Sequence, residues 1–305
     1  MKTFTILVLW MILSLSFISI KAQTFYNTWY YNYDLVWEAG LGGGLMNCLT
    51  DLGGRKGNGG RFIKDIRWSS SRPCFSSYIG ATYKDIWTIR LNYQVGTVTA
   101  ADSQLSTSDP NPGGRYGRNL SFRSKISEIS LIAEAHPLFW SSGVMEKIPS
   151  LSPYFLTGIA YYRFNPQTLW GGRWQDLHPL RLEGQGFPSI ENRRPYKLRQ
   201  FAIPVGLGVR YETGPLMNIR FDCVYRFLFT DYLDDVSTDY IDPALFDLYL
   251  ETEKALLARN LYDRSHERLP GMIAVPGSPR GNKKNKDAYF SFQFTLSYVF
   301  RHSVK

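Results

Sequence analysis

Strict alternation of apolar and polar residues dominates this chain. In 87–99, Trp87, Ile89, Leu91, Tyr93 and Val95 alternate with Thr88, Arg90, Asn92, Gln94 and Gly96. Successive side chains of a strand point to opposite faces, so the two sets separate onto two surfaces. The pattern returns in 216–231, where Ile219, Phe221, Cys223, Tyr225, Phe227 and Phe229 alternate with Arg220, Asp222, Val224, Arg226, Leu228 and Thr230. It returns again in 197–211, through Phe201, Ile203, Val205, Leu207 and Val209, and in 288–301, through Phe290, Phe292, Phe294, Leu296, Tyr298 and Phe300. Such runs are longer than the roughly 5–6 residues usual in globular sheets. A strand that crosses a membrane needs roughly 9–11.

Four further segments carry the pattern less cleanly: 35–49, 73–83, 124–138 and 152–163, the last aromatic on both parities so that its faces stay open. The sequence therefore predicts eight strands, the smallest common membrane barrel. Connection lengths give an independent check. Lys84–Asp85, about 140–151 and Glu212–Pro215 are short, whereas 50–72, 100–122, 164–196 and 231–286 are long. Short periplasmic turns alternating with long outer loops are the habit of bacterial barrels, and they put both termini in the periplasm. The expected fold is an all-β, transmembrane, antiparallel up-and-down barrel with long outer loops and a short helix in the last of them. That helix is expected within Pro243–Arg264, with Leu245, Leu248, Tyr249, Thr252 and Leu256 at helical spacing after an Asp242–Pro243 start. A secreted β-sandwich is the competing all-β reading.

Composition sharpens the choice. The chain has 20 Tyr, 19 Phe, 8 Trp and 26 Gly, and aromatics with glycine in alternating strands suit a membrane barrel. Residues 1–22 read as a signal peptide: Lys2, an apolar run from Phe4 to Ile20, and Ala22 at a small-residue cleavage edge. No Cys follows that run closely, which argues against a lipoprotein. The remaining 23–305 are read as one outer-membrane barrel domain, with 33 basic against 26 acidic residues. No other apolar stretch approaches 20 residues, so a helical membrane protein is excluded.

Candidate chemistry is sparse. Charged residues on the polar parity, Glu38, Glu128, Glu134 and Asp222 against Arg90, Arg210, Arg220 and Arg226, suggest an ion-pair network that plugs the lumen. Eight strands leave an interior just wide enough for side chains to fill. Cys48 and Cys74 flank one long loop on the inward parity, and are read either as a disulfide in an oxidising compartment or as two thiols. Cys223 lies on the lipid-facing parity. The Gly-rich 51–72 lacks GxxxxGK[ST], which argues against nucleotide binding. His136 stands two residues after Glu134, an acid–base spacing, but no GxSxG, HExxH or paired Cys/His spacing occurs. No catalytic, cofactor or metal residues are assigned, and no nucleic-acid partner is expected. Asp231, Asp234, Asp235, Asp239 and Asp242 form an acidic run without an EF-hand pattern, read as turn capping or pairing with Arg. Membrane lipid and lipopolysaccharide are the expected surroundings. The aromatic 23–34 is read as an interfacial belt or a docking segment on the periplasmic side.

Several stretches resemble the PorG-like outer-membrane barrels of the Bacteroidota type IX secretion system: RNLSFRSKISEISLIAEAH (118–136), SPYFLTGIAYYRFNP (152–166), DLHPLRLEGQG (176–186), YKLRQFAIPVGLGVRY (196–211) and DYLDDVSTDYID (231–242). The most specific elements are Glu183, Gly184, Gln185 and Gly186, and Leu233, Asp234, Asp235, Val236 and Ser237. The resemblance covers about 35–302; 51–72 and 262–286 look peculiar to this sequence. It implies a non-enzymatic accessory of protein export that associates with the periplasmic ring of a PorK-like lipoprotein and a PorN-like protein. A small pore or surface-binding barrel with no secretion role is the alternative.

Overall fold

The computed structural model describes residues 34–53, 67–104, 115–140, 150–214 and 216–300. The expected signal peptide (1–22), the aromatic 23–33 segment and most of the first Gly-rich loop lie outside the described residues. Among the described residues there are ten strands: β1 (Leu35–Leu49), β2 (Arg72–Tyr83), β3 (Trp87–Ala101), β4 (Ser121–Ala135), β5 (Leu151–Arg163), β6 (Pro166–Trp170), β7 (Arg173–Asp176), β8 (Arg199–Gly214), β9 (Met217–Leu228) and β10 (Ala288–Phe300). Every pairing is antiparallel. The order β3-β2-β1-β10-β9-β8-β5-β4 is closed by pairing of β3 with β4. The result is an eight-stranded barrel without a free edge, which is the only way a sheet can satisfy its backbone in lipid. β6 and β7 form a hairpin standing on the outer end of β4, where Arg123 opposes Gln167.

The alternation places the apolar set outward. Leu41, Phe75, Ile89, Leu131, Phe155, Ile159, Phe201, Leu207, Phe294 and Leu296 are all exposed. A contiguous apolar belt of this size around a closed barrel suits hydrocarbon, not water. No helix among the described residues is long and apolar enough to cross a membrane. β5, whose faces the sequence left open, turns Ser152, Tyr154, Leu156, Ala160 and Tyr162 inward and Leu151, Phe155, Ile159 and Tyr161 outward.

Several boundaries move. The strand expected at 124–138 runs three residues earlier, because Pro137 opens a 3-10 turn at one end while Ser121–Ser124 pair with β3 and β6 at the other. The strand expected to reach 231 leaves the wall at Leu228. The Lys84–Asp85 turn holds both residues at positive φ (48° and 56°), the twist that a two-residue hairpin turn requires. The β6–β7 hairpin lies outside the expected strands, although Gly171–Gly172 at positive φ between Trp170 and Trp174 is a hairpin signal.

The last outer loop contains two helices, α1 (Ala244–Tyr249) and α2 (Thr252–Tyr262), separated by extended Leu250 and Glu251. The expected stripe is buried only in part: Leu245 and Tyr249 pack against the loop core, but Leu248 and Leu256 are 68% and 65% exposed, while Phe246, Ala255, Ala258 and Leu261 are buried. The break between the helices resets the phase, so one continuous helical wheel misassigns the second.

Candidate functional site

The interior is the feature that decides what this barrel can do, and it is stacked in layers. At the short-turn end, Arg210 meets Asp85 at 3.7 Å and Glu212 at 3.5 Å. Next to it His136 contacts Ser152 Oγ through Nδ1 (3.2 Å) and Thr88 Oγ1 through Nε2 (3.1 Å), with Glu134 at 3.5 Å. Ser152, His136 and Glu134 thus line up as an alcohol, an imidazole and a carboxylate. All three are almost wholly buried, at 2%, 0% and 1% exposure. A nucleophile needs a substrate within hydrogen-bond reach, and this hydroxyl faces packed protein.

Above lies the central charge cluster. Arg220 pairs with both Glu38 and Glu134, and Arg90 pairs with Glu134 at 2.8 Å and Asp222 at 3.1 Å. Tyr154 donates its hydroxyl to Asp222 (2.5 Å), and Asn218 donates to Glu38 (3.3 Å). One layer further, Arg226 forks onto Glu128 (3.0 and 3.3 Å) and also donates to Gln94 and Ser291, each at 2.6 Å, while Tyr289 donates to Glu128. A bidentate guanidinium–carboxylate pair with further donors is the arrangement that offsets desolvation of buried charge. A cavity of about 20 Å³, lined in part by Tyr78, Asn92, Gln94 and Asp222, lies among these side chains. That is room for about one water.

The structure therefore joins Glu38, Arg90, Glu134, Arg220 and Asp222 into one cluster and Glu128 with Arg226 into a second. It takes Arg210 out of both: Arg210 stands opposite Arg220 in the β8–β9 register, but its guanidinium turns to Asp85 and Glu212. The sequence listed the charges but not the partition.

The half of the lumen toward the long loops is apolar, contrary to the expected polar centre. Met46, Cys74, Val98, Phe122, Ile126, Tyr162, Leu228 and Tyr289 from the wall pack with Leu233 and Val236 from the last loop. The Leu233–Ser237 turn dips onto the mouth, so this loop both seals the lumen and covers it. Over it a second core joins Leu177, Leu180, Leu182 and Phe187 to Tyr240, Phe246, Ala258 and Leu261.

The disulfide reading is corrected. Cys74 stands opposite Gly44 on β1, and Cys48 lies four residues beyond, roughly 13 Å along the strand. A disulfide needs Cα atoms within about 7 Å. Both are buried free thiols, and Cys223 is a free, half-buried thiol on the outer face.

The two most specific motif stretches meet in space. The Glu183 carboxylate accepts from Ser237 N (2.9 Å), Thr238 N (3.0 Å) and Thr238 Oγ1 (2.6 Å), and pairs with Arg280 at 3.0 Å. Gly184 and Gly186 take positive φ, 71° and 78°, where a side chain would be strained; Gln185 Oε1 accepts from Glu183 N at 3.2 Å. Asp234 accepts from Leu52 N and Val236 N, each at 3.0 Å, and Asp235 accepts the Tyr196 hydroxyl at 2.6 Å. Asp231 accepts Ser237 Oγ at 2.7 Å. The acidic run is thus taken up by backbone amides and hydroxyls, and at Asp239 by an ion pair with Arg193 at 3.5 Å. Burial pushes Asp231 and Asp235 up to about 7, the first aided by nearby Asp51 and the second opposed by Arg280. Burial and Asp51 also raise Asp234 well above the usual carboxylate range. Among the described residues, no three His, Cys, Asp or Glu side chains come together as a metal site. Missed from sequence were Asp51, Asp102, Arg118 and Arg280, which tie the loops together. Arg118 reaches Asp102 at 2.8 Å and the Asp51 carbonyl at 2.8 Å. No local signal marked them, since their partners are distant in the chain.

No family model and no curated protein matches this chain. Solved structures similar to it are eight-stranded outer-membrane barrels. The N-terminal barrel domain of Pseudomonas aeruginosa OprF aligns at 10% identity over 88% of this chain and 98% of that one, with a TM-score of 0.33. Ail of Yersinia pestis aligns at 8% identity, over 87% and 97%, with 0.35. A major outer membrane protein from Thermus thermophilus aligns at 12% identity, over 88% and 100%, with 0.36. Likenesses this remote add nothing to the fold, which the closed sheet itself establishes.

Proposed function

We propose that this protein is a non-conducting outer-membrane barrel that anchors other proteins, neither a pore nor an enzyme. The carrying observation is the filled interior: three ion-paired levels, an apolar half toward the long loops and a loop cap leave no room for a solute path. Burial of Ser152, His136 and Glu134 speaks in the same direction about catalysis.

The resemblance at Glu183–Gly186 and Leu233–Ser237 supports a finer reading. The chain would serve type IX secretion by holding a periplasmic ring of a PorK-like lipoprotein and a PorN-like protein. The contact of Glu183 with Ser237 and Thr238 gives those stretches a role in locking the cap, so a ring would engage the short-turn end. The test combines a clean deletion strain, affinity purification of tagged barrel, and planar-bilayer recording. Loss of cargo export, co-purification of ring components and absence of conductance steps are expected. Normal export overturns the secretion role, and stable conductance would favour the small-pore alternative. A His136→Gln variant should export normally; loss of export from a correctly folded variant would revive an enzymatic reading.

A further inference from the structure

Charges on the wall strands are sorted by face. Glu38, Arg90, Glu128, Glu134, Arg220, Asp222 and Arg226 point inward and are buried. Among the described residues of the eight wall strands, the charges on the outward parity are Arg123, Lys125, Arg163 and Arg199. All four are cations. All four lie on the neighbouring strands β4, β5 and β8, at the long-loop end, and the outward parity of the other five strands carries no charge.

Their register makes the cluster costly alone. Arg163 stands directly opposite Arg199, and Ser127, two residues from Lys125, stands opposite Arg163. Like charges facing each other across a strand pair are destabilising. Among the described residues, no carboxylate lies within 4.0 Å of Lys125, Arg163 or Arg199. The neighbouring Asp176 is held instead by the amides of Asn165 (2.9 Å) and Gln167 (2.6 Å). Arg123 is anchored over the Trp174 ring at 3.5 Å.

Height on the wall identifies what neutralises them. Tyr161 and Phe201 are cross-strand partners, with ring centroids 5.2 Å apart, and both are exposed. Arg163 and Arg199 follow two residues toward the long loops, roughly 7 Å further along the tilted strands. An aromatic pair of this kind marks the edge of the hydrocarbon, so the guanidinium groups stand at headgroup level. Arg forks match phosphate oxygens in two-point geometry. We propose that Lys125, Arg163 and Arg199 form a docking surface for the phosphorylated headgroup of a lipid in the leaflet at the long-loop end. Its acyl chains would lie against Ile129, Tyr161 and Phe201.

Native mass spectrometry of the full barrel in neutral detergent, with bisphosphorylated lipid A as probe, tests this. Wild type should retain the lipid. The variant Lys125→Gln/Arg163→Gln/Arg199→Gln should bind it about tenfold more weakly or worse, and each single Arg→Gln variant should fall between. Arg163→Lys/Arg199→Lys keeps the charge but loses the forked contact, and should bind between wild type and the triple variant. Arg72→Gln, a cation at the same end on β2, should bind as wild type. These side chains are exposed, so heat-modifiable gel migration should show all variants folded. Equal retention by wild type and the triple variant overturns the proposal. So does equal binding of dephosphorylated lipid A, an equal loss in Arg72→Gln, or displacement of the lipid by inorganic phosphate, which would make this a free-anion site.

Discussion

Replacing Arg220 by Met removes the cation that Glu38 and Glu134 share while keeping most of the side chain's bulk. Arg220 is fully buried, as are both carboxylates. Removing one partner of a buried ion pair costs about 3–5 kcal/mol, because the other charge stays desolvated. Here Glu38 loses its guanidinium, Glu134 loses one of two, and Arg90 is left against Glu134 and Asp222 together, so the loss belongs at the upper end, about 5 kcal/mol. Urea-dependent unfolding from lipid vesicles, followed by tryptophan emission and by the heat-shifted gel band, measures it. Arg220→Met/Glu38→Gln/Glu134→Gln leaves a matched Arg90–Asp222 pair and should recover to within about 2 kcal/mol of wild type. A single variant within about 1 kcal/mol of wild type, or a triple variant weaker than the single, refutes the account. By contrast Arg259→Met breaks a half-exposed pair with Asp247 and should cost no more than about 1 kcal/mol.

Other outcomes follow from the same geometry. A Cβ on Gly208 would fall 2.3 Å from the Tyr154 ring, so Gly208→Ala should cost about 1–3 kcal/mol in the same urea assay. Cys48 and Cys74 should show no redox-dependent gel shift, and should react with maleimide far more slowly in the folded barrel than in urea. Asp231 and Asp235 have pKa values raised to about 7 from 3.8, so the folded cap binds more protons than the open one between about pH 4 and 7. Cap stability should therefore fall as pH rises through that window. Exchange protection at the Leu233 and Val236 amides, corrected for intrinsic rate, should be higher at pH 5 than at pH 8; the reverse order contradicts the assignment.

The wall was legible because lipid and lumen impose a period of two on every crossing strand. Ile219 to Phe229 and Arg220 to Arg226 could be sorted by face with no knowledge of their neighbours, and loop lengths then gave the up-and-down order. Faces stayed open where aromatics occupied both parities, as in 152–163, since Tyr154 and Tyr162 fill the lumen while Tyr161 is exposed, and the rule failed at Phe290, which is buried although it lies on the apolar parity of β10. The helix phase failed at Leu250, where a backbone break is invisible to residue spacing.

Alternation, loop asymmetry and inward charge were written locally, so the sequence alone determined a membrane barrel with a charged, filled interior. Partners were not. Which guanidinium meets which carboxylate, that Arg210 stands apart with Asp85 and Glu212, that Cys48 lies beyond reach of Cys74, and that Glu183 clasps Ser237 and Thr238 all depend on strand register and loop path. Those are set by closure of the ring and by contacts between residues far apart in the chain, and no local pattern encodes a distance of that kind.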